Sequence, residues 1–184
     1  MRKSLPAFTA LLLSGLAGCS RSPKEAPAPS PASRTAARPA TAAPSAGALS
    51  KATAASFADE LLHRTNAERH ATKLLPLTRS MNLARAAEMQ AGQMARANLL
   101  EHDIPTAAYP TLGARLAAAQ YPIRAAGENI GEGYRTPAAA VTGWMASAGH
   151  RANILSANYT EIGTAVAQST NGTMYWVQVF GRPK

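Results

Sequence analysis

From Ser56 to Ala71, Phe57, Leu61, Leu62 and Thr65 recur at roughly helical spacing, which predicts a first helix. Ser56 is a suitable cap, and Asp59-Glu60 follow where acids suit the helix dipole. Pro76 ends the connection, and Ser80 caps a second helix from Met81 to Leu99. Leu83, Ala86, Ala87, Gln90, Met94 and Ala97 fall on one stripe of it, with Arg79, Arg85, Glu88 and Arg96 mostly off it. Thr111 starts a short third helix that runs to Gln120. Tyr121-Pro122 closes it, because a residue before proline resists the helical region. The glycine-containing run from Ala125 to Gly133 reads as a strand or an extended loop. Thr136-Pro137 then opens a fourth helix that carries Val141, Trp144 and Met145 to about Ala148, with Gly149 as its terminator.

The period changes to two at the end. Ile162 to Gln168 and Met174 to Phe180 flank Ser169-Thr170-Asn171-Gly172-Thr173, in which Asn-Gly is a strong hairpin signal because both residues accept positive φ. In the last strand Tyr175, Val177 and Val179 alternate with Trp176, Gln178 and Phe180, so both faces carry large groups, as in a central strand. Three helices, a strand, a helix and a hairpin predict an α+β domain over 54–184, with helices around an antiparallel sheet.

The chain before residue 54 is of a different kind. Arg2 and Lys3 precede an apolar stretch, Leu5 to Leu16, which is too short to span a bilayer and has the length of a signal-peptide core. It ends in Leu16-Ala17-Gly18-Cys19, which resembles a bacterial lipobox. Residues 1–18 are therefore expected to be a lipoprotein signal peptide, with Cys19 acylated. An ordinary secretory signal with an incidental cysteine is the competing reading. Each buried CH₂ of an acyl anchor contributes about 0.8 kcal/mol, and stable attachment needs more than one chain. Residues 20–53 hold 11 Ala, 6 Pro and 6 Ser, with Leu49 the only large apolar residue. Such a segment buries too little surface to offset its ordering entropy, so 19–53 reads as an acylated, disordered tether. By resemblance to Gram-negative lipoproteins, Ser20 rather than Asp after the cysteine favours the outer membrane, facing the periplasm or the surface.

Composition narrows the function classes. The 184 residues contain one cysteine, which excludes a disulfide scaffold and a cluster of thiolate zinc ligands. A Cys19 carrying lipid excludes a cysteine nucleophile as well. The formal charge is +9, but the signal carries two positives and the tether a net four, which leaves only +3 on residues 54–184. A nucleic-acid domain concentrates charge on its folded surface, so no nucleic-acid partner is expected. A basic tether suits lipid head groups or anionic wall polymers, and equally a merely solvated linker.

No GxSxG, HExxH, GxGxxG or phosphate loop is present. His63 and His70, seven apart on the first helix, read as exposed. His102 follows the second helix, His150 the fourth, and Glu128 sits in the extended Gly127-Glu128-Asn129-Ile130. Spacing alone does not make these three one site.

Together with Asn66-Ala67-Glu68-Arg69, Leu75-Pro76-Leu77, Trp144-Met145-Ala146-Ser147, Gly149 through Leu155, Ile162-Gly163 and Tyr175 through Gln178, they occur in an order that resembles the CAP superfamily, or SCP domain. Cysteine-rich secretory proteins, venom allergens and plant pathogenesis-related proteins belong to it, and the likeness is strongest to its bacterial branch. The resemblance implies an α-β-α sandwich with a central antiparallel sheet flanked by helices. It implies a cleft where histidines and acids converge, which in several members binds a divalent metal. His102, Glu128 and His150 match the metal positions, and a two-His, one-Glu set suits Zn²⁺. Eukaryotic members often have a second glutamate where this chain has Ser147, which is left as a water-binding or supporting group. Asn129 is assigned to bridging backbone in an irregular strand, Trp144 to the core, Arg151 to holding its loop or pairing with an acid, and Asn153 to capping a short helix.

Three functions are compatible with this reading. The preferred one is a tethered binding module for a lipid, wall or protein ligand. The second is a metal-assisted hydrolase using His102, Glu128 and His150, with Ser147 as an alternative nucleophile. The third is a structural envelope protein without a ligand.

Overall fold

A computed structural model describes residues 48–184. The expected signal peptide, Cys19 and the expected tether up to residue 47 lie outside the described residues. The elements are α1 (Lys51–Ala71), β1 (Thr78–Arg79), α2 (Met81–Ala97), α3 (Leu112–Ala118), β2 (Ile123–Glu132), α4 (Pro137–Ala146), α5 (Ala148–Ile154), β3 (Glu161–Gln168) and β4 (Met174–Pro183).

The sheet order is β1-β3-β4-β2. β4 is antiparallel to both its neighbours, and the short β1 adds a parallel pairing at Glu161 and Ile162 of β3. Tyr175 through Gly181 are all buried, as the two-sided pattern of the last strand requires. Tyr175, Val177 and Val179 join Leu83, Ala87 and Met94 of α2 and Leu116 of α3 in one core. Trp176 and Phe180 join Leu61 of α1, Val141 and Trp144 of α4 and Ile154 of α5 in the other. Period-two alternation thus sends successive side chains into opposite layers, and the domain is the expected α-β-α sandwich.

Local chemistry fixes most element ends. Thr111 and Thr136 accept from the N–H three residues on, at 3.2 Å each, and Pro137 opens α4. α2 ends two residues before Leu99, because Asn98 turns left-handed at φ 51°. At the hairpin only Gly172 has positive φ (89°), not Asn171 as well. Gly172 N–H bonds Ser169 O and Ser169 N–H bonds Thr173 O, which closes the expected five-residue connection from Ser169 to Thr173.

Two expectations are corrected. α1 starts at Lys51, not Ser56, because Ser50 accepts from Thr53 N–H and caps it earlier. Ser56 is an exposed residue within the helix, and the ordered chain reaches back past residue 54. The fourth helix does not run through to Gly149. It stops at Ala146, Ser147 turns extended (φ −98°, ψ 125°), and α5 begins at Ala148 with Gly149 inside it. Burial decides this break, since Trp144 is fixed by its indole N–H to Ile130 O (2.9 Å) while Ile154 must also reach the core.

Two glycines predict opposite outcomes. A Cβ on Gly163 would run into the α2 backbone at Leu83 and Ala84, whereas one on Gly149 would meet nothing within 4 Å. Gly163→Ala should cost about 3 kcal/mol through overpacking. Gly149→Ala should be neutral or add up to about 1 kcal/mol through lower chain entropy. Urea midpoints of the two variants check both signs.

Candidate functional site

Glu128 lies opposite Val179 in the β2–β4 register, so its side chain enters the α2/α3 layer. There it is 3% exposed and faces Arg115 of α3, which is wholly buried. Arg115 Nη2 donates to both carboxylate oxygens, at 3.1 and 3.0 Å. A carboxylate buried this deeply requires a counter-charge, and a guanidinium in an alanine-rich helix supplies it. The same Nη2 reaches His102 O at 3.2 Å, while Arg115 Nε has no partner among the described residues.

His102 sits in the loop after α2, as expected, and its Nδ1 is 2.9 Å from Glu128 Oε1. Its side chain is 54% exposed, so the ring is held at one nitrogen and open to solvent. Two glutamines of α2 fix the loop from inside. Gln90 Nε2 donates to Glu101 O (2.6 Å) and His102 O (3.1 Å), and Gln93 pairs with both main-chain groups of Tyr109.

The next residue of β2, Asn129, points into the opposite layer and begins a chain of buried amides. Asn129 Nδ2 donates to His150 O and to Gln178 Oε1, both at 3.1 Å. Gln178 Nε2 donates to Thr65 Oγ1 of α1 at 2.6 Å. Asn153 Nδ2 donates to Asn129 Oδ1 (2.9 Å) and Glu128 O (3.2 Å). This network docks α5, and with it His150, against β2. At the far end of α5, Arg69 of α1 is buried and donates to Ile154 O and Ser156 O, at 2.8 Å each.

β2 is an edge strand, and side chains close its outer edge. Tyr159 Oη, Asn153 Nδ2 and Trp144 Nε1 donate to the carbonyls of Ala126, Glu128 and Ile130. Gly127 is what allows Tyr159 to lie on the strand, since a Cβ there would sit 2.5 Å from the hydroxyl.

The imidazoles have opposed acidities. The hydrogen bond to Glu128 raises His102 above the ordinary 6.5, against partial desolvation. Desolvation, then the nearby His102 charge, lowers His150. The pair therefore offers one more basic and one less basic ring.

Three of the sequence expectations are corrected in detail. His150 lies in the first turns of α5 rather than just past a helix end. Arg151 is exposed and its side chain forms no hydrogen bond or ion pair among the described residues, because α5 turns it toward solvent. Asn153 lies inside α5 and ties it to β2 instead of capping it. Asn129 is structural as expected, though it bridges three elements rather than one strand. Ser147 is the N-cap residue of α5 but makes no side-chain capping bond, and His63 and His70 are exposed. Arg115, Gln90, Gln93 and Gln178 were not singled out as site residues. The available signal was a lone arginine within the apolar run Leu112 to Ala119.

As metal ligands, the three predicted residues fit poorly. Glu128 is committed to Arg115 and His102, and among the described residues no three His, Cys, Asp or Glu side chains are disposed to hold one ion.

The fold and this site define a three-layer domain with a histidine-lined edge closed around a buried Arg–Glu pair. The sequence profile described as the Cysteine-rich secretory protein family, CAP, matches residues 62–180. The chain belongs to that family. It is 34% identical over 126 residues to the uncharacterized protein YkwD of Bacillus subtilis, covering 68% of this chain and 48% of YkwD, so it spans about half of that relative. An extracellular SCP-domain protein of Bacillus anthracis superposes with a TM-score of 0.63 at 29% identity, covering 71% of this chain and 41% of that one. An outer surface protein of Borrelia burgdorferi has the same TM-score at 18% identity, covering 68% of this chain and 92% of the other, and shows the fold alone.

Removing either member of the buried pair strands the other. Arg115→Met and Glu128→Gln should each cost about 3–5 kcal/mol. The double variant should cost less than their sum by about 1–3 kcal/mol in chemical denaturation.

The histidines make an asymmetric prediction for NMR titration. His102 should titrate above 6.5 and His150 below it. His102 protonates first, so His102→Asn should move His150 upward while His150→Asn leaves His102 in place. For stability the signs oppose. The His102 contribution is complete below pH 6.5 and is lost as pH rises through its raised folded value. The His150 contribution is present above pH 6.5 and is lost as pH falls through its lowered one. Matching shifts in both variants would refute this order.

Proposed function

We propose that this chain is an extracytoplasmic binding module, held to a membrane by lipid on Cys19, whose ligand docks against His102 and His150. One observation carries the choice of binding over catalysis. Glu128, the acid at the centre of the cluster, has both oxygens on Arg115 and one also on His102, which leaves it no free role as a general base. Neither does Ser147 have a hydrogen-bonded base, as a nucleophile requires. The exposed His102 ring beside a less basic His150 offers a ligand two imidazoles of different basicity.

The Bacillus anthracis relative is an extracellular protein, which supports a place outside the cytoplasm. Among the described residues no helix is long and apolar enough to cross a membrane. The ligand classes are those of an envelope: lipid, wall polymer or protein.

Co-sedimentation of the chain with phosphatidylethanolamine/phosphatidylglycerol vesicles and with insoluble peptidoglycan tests the reading. The double variant His102→Asn/His150→Asn should lose binding to one of them by about tenfold or more at an unchanged thermal midpoint. Unchanged binding to both would remove the histidines from the ligand site. Zinc calorimetry addresses the alternative. Micromolar binding lost in each of His102→Ala, Glu128→Gln and His150→Ala would restore the three-ligand site and the metal-assisted hydrolase with it.

A further inference from the structure

The two edges of the sheet are treated differently. Side chains cap the outer carbonyls of β2, whereas β3 is strand-paired only at its start; Thr164, Ala165 and Val166 beyond it are less than a tenth exposed, and Thr164 Oγ1 donates to Ala58 O of α1 (2.8 Å). At the start of β3, Thr78 and Arg79 of β1 pair in parallel with Glu161 and Ile162, and Ser80 N–H closes the pairing on Ile162 O. The chain then turns into α2. Beyond that point the main-chain groups of Gly163 and Ala165 face β4, so those of Thr164 and Val166 face outward. Neither residue's main chain has a hydrogen-bond partner on that side among the described residues. This stretch opens into a groove of about 350 Å³ between α1 and α2. Ala54, Ala55 and Ala58 form the α1 wall, and Glu88 stands on the α2 wall.

We propose that this slot is a strand-addition site, in which an extended peptide continues the middle layer of the sandwich along Thr164–Val166. Three observations fix the class of partner. The open groups are main-chain donors and acceptors at strand spacing, which an extended backbone satisfies and a helix or a sugar does not. The wall of alanines sets no large side chain of α1 across the slot. Lys51 on the α1 side and Glu88 on the α2 side both lack an ion-pair partner among the described residues. Successive residues of a strand face opposite sides, so an acidic residue next to a basic one meets both walls. The same edge already accepts a strand in β1, which shows that the geometry suits pairing. The slot borders β3 while His102 and His150 border β2, so its test is independent of the function proposed above.

The test uses the ¹⁵N-labelled chain and an acetylated, amidated heptapeptide that alternates alanine with threonine around one Glu-Lys step. Saturable shifts should centre on Thr164–Val166, and exchange of these two amides should slow about tenfold or more at saturation. Methylating alternate peptide nitrogens should abolish binding. Ala55 is exposed, so Ala55→Trp should fill the slot and abolish binding at an unchanged thermal midpoint. No shifts at about 5 mM peptide, far above the range of specific main-chain recognition, would overturn the proposal. Equal shifts with the methylated peptide would overturn it too. A sedimenting dimer with both amides already protected would overturn it in favour of pairing between two copies of this chain.

Discussion

The domain is organised by a strand that meets no water. β4 is buried from Tyr175 to Gly181, with a paired strand on each side and a helical layer on each face. Burying a large apolar side chain contributes about 1.5–3 kcal/mol, so Tyr175, Trp176, Val177, Val179 and Phe180 make β4 the main source of packing energy. That burial sets a condition on the one polar residue among them. Gln178 cannot stay unsatisfied, and its amide becomes the middle link between Thr65 of α1 and Asn129 of β2. The amide chain that fixes α5, and therefore His150, follows from placing a glutamine in the core strand.

Glu128 is the same argument with a charge. The pleat turns it into the layer opposite Asn129, where a carboxylate is tolerable only with a partner. Arg115 supplies the partner and also grips the His102 carbonyl, so the ion pair holds the loop as well as the acid. One strand segment, Gly127 to Ile130, thereby reaches both layers and positions a histidine from each. The pair fixes geometry more than it supplies reactivity, because the charge that would be needed for proton transfer or for a cation is already neutralised.

The two sheet edges illustrate how exposure is managed. On β2 a tyrosine, an asparagine and a tryptophan occupy the outward carbonyls, and glycines at 127 and 131 give the rings room. This keeps the histidine side of the domain from pairing with a stray strand. On β3 the covering strand is two residues long, and the helices on either side stand apart beyond it.

Sequence patterning alone determined the helices, the hairpin, the central place of β4 and the two-layer split of its side chains, since all of these rest on local period and on burial of apolar residues. It also singled out His102, Glu128 and His150, through the order of motifs around them. It missed Arg115 and the buried amides, because an arginine or a glutamine reads as surface until its partner is known, and Glu128 lies 13 residues from Arg115 and Thr65 113 residues from Gln178. It misplaced the start of α1, where Ser50 and Ser56 are equivalent caps locally and only packing chooses between them, and it ran the fourth helix past the break at Ser147. What the carboxylate does was likewise decided by the tertiary structure. Glu128 is free, metal-bound or paired according to which side chain the third layer brings opposite it, and that layer brings a guanidinium.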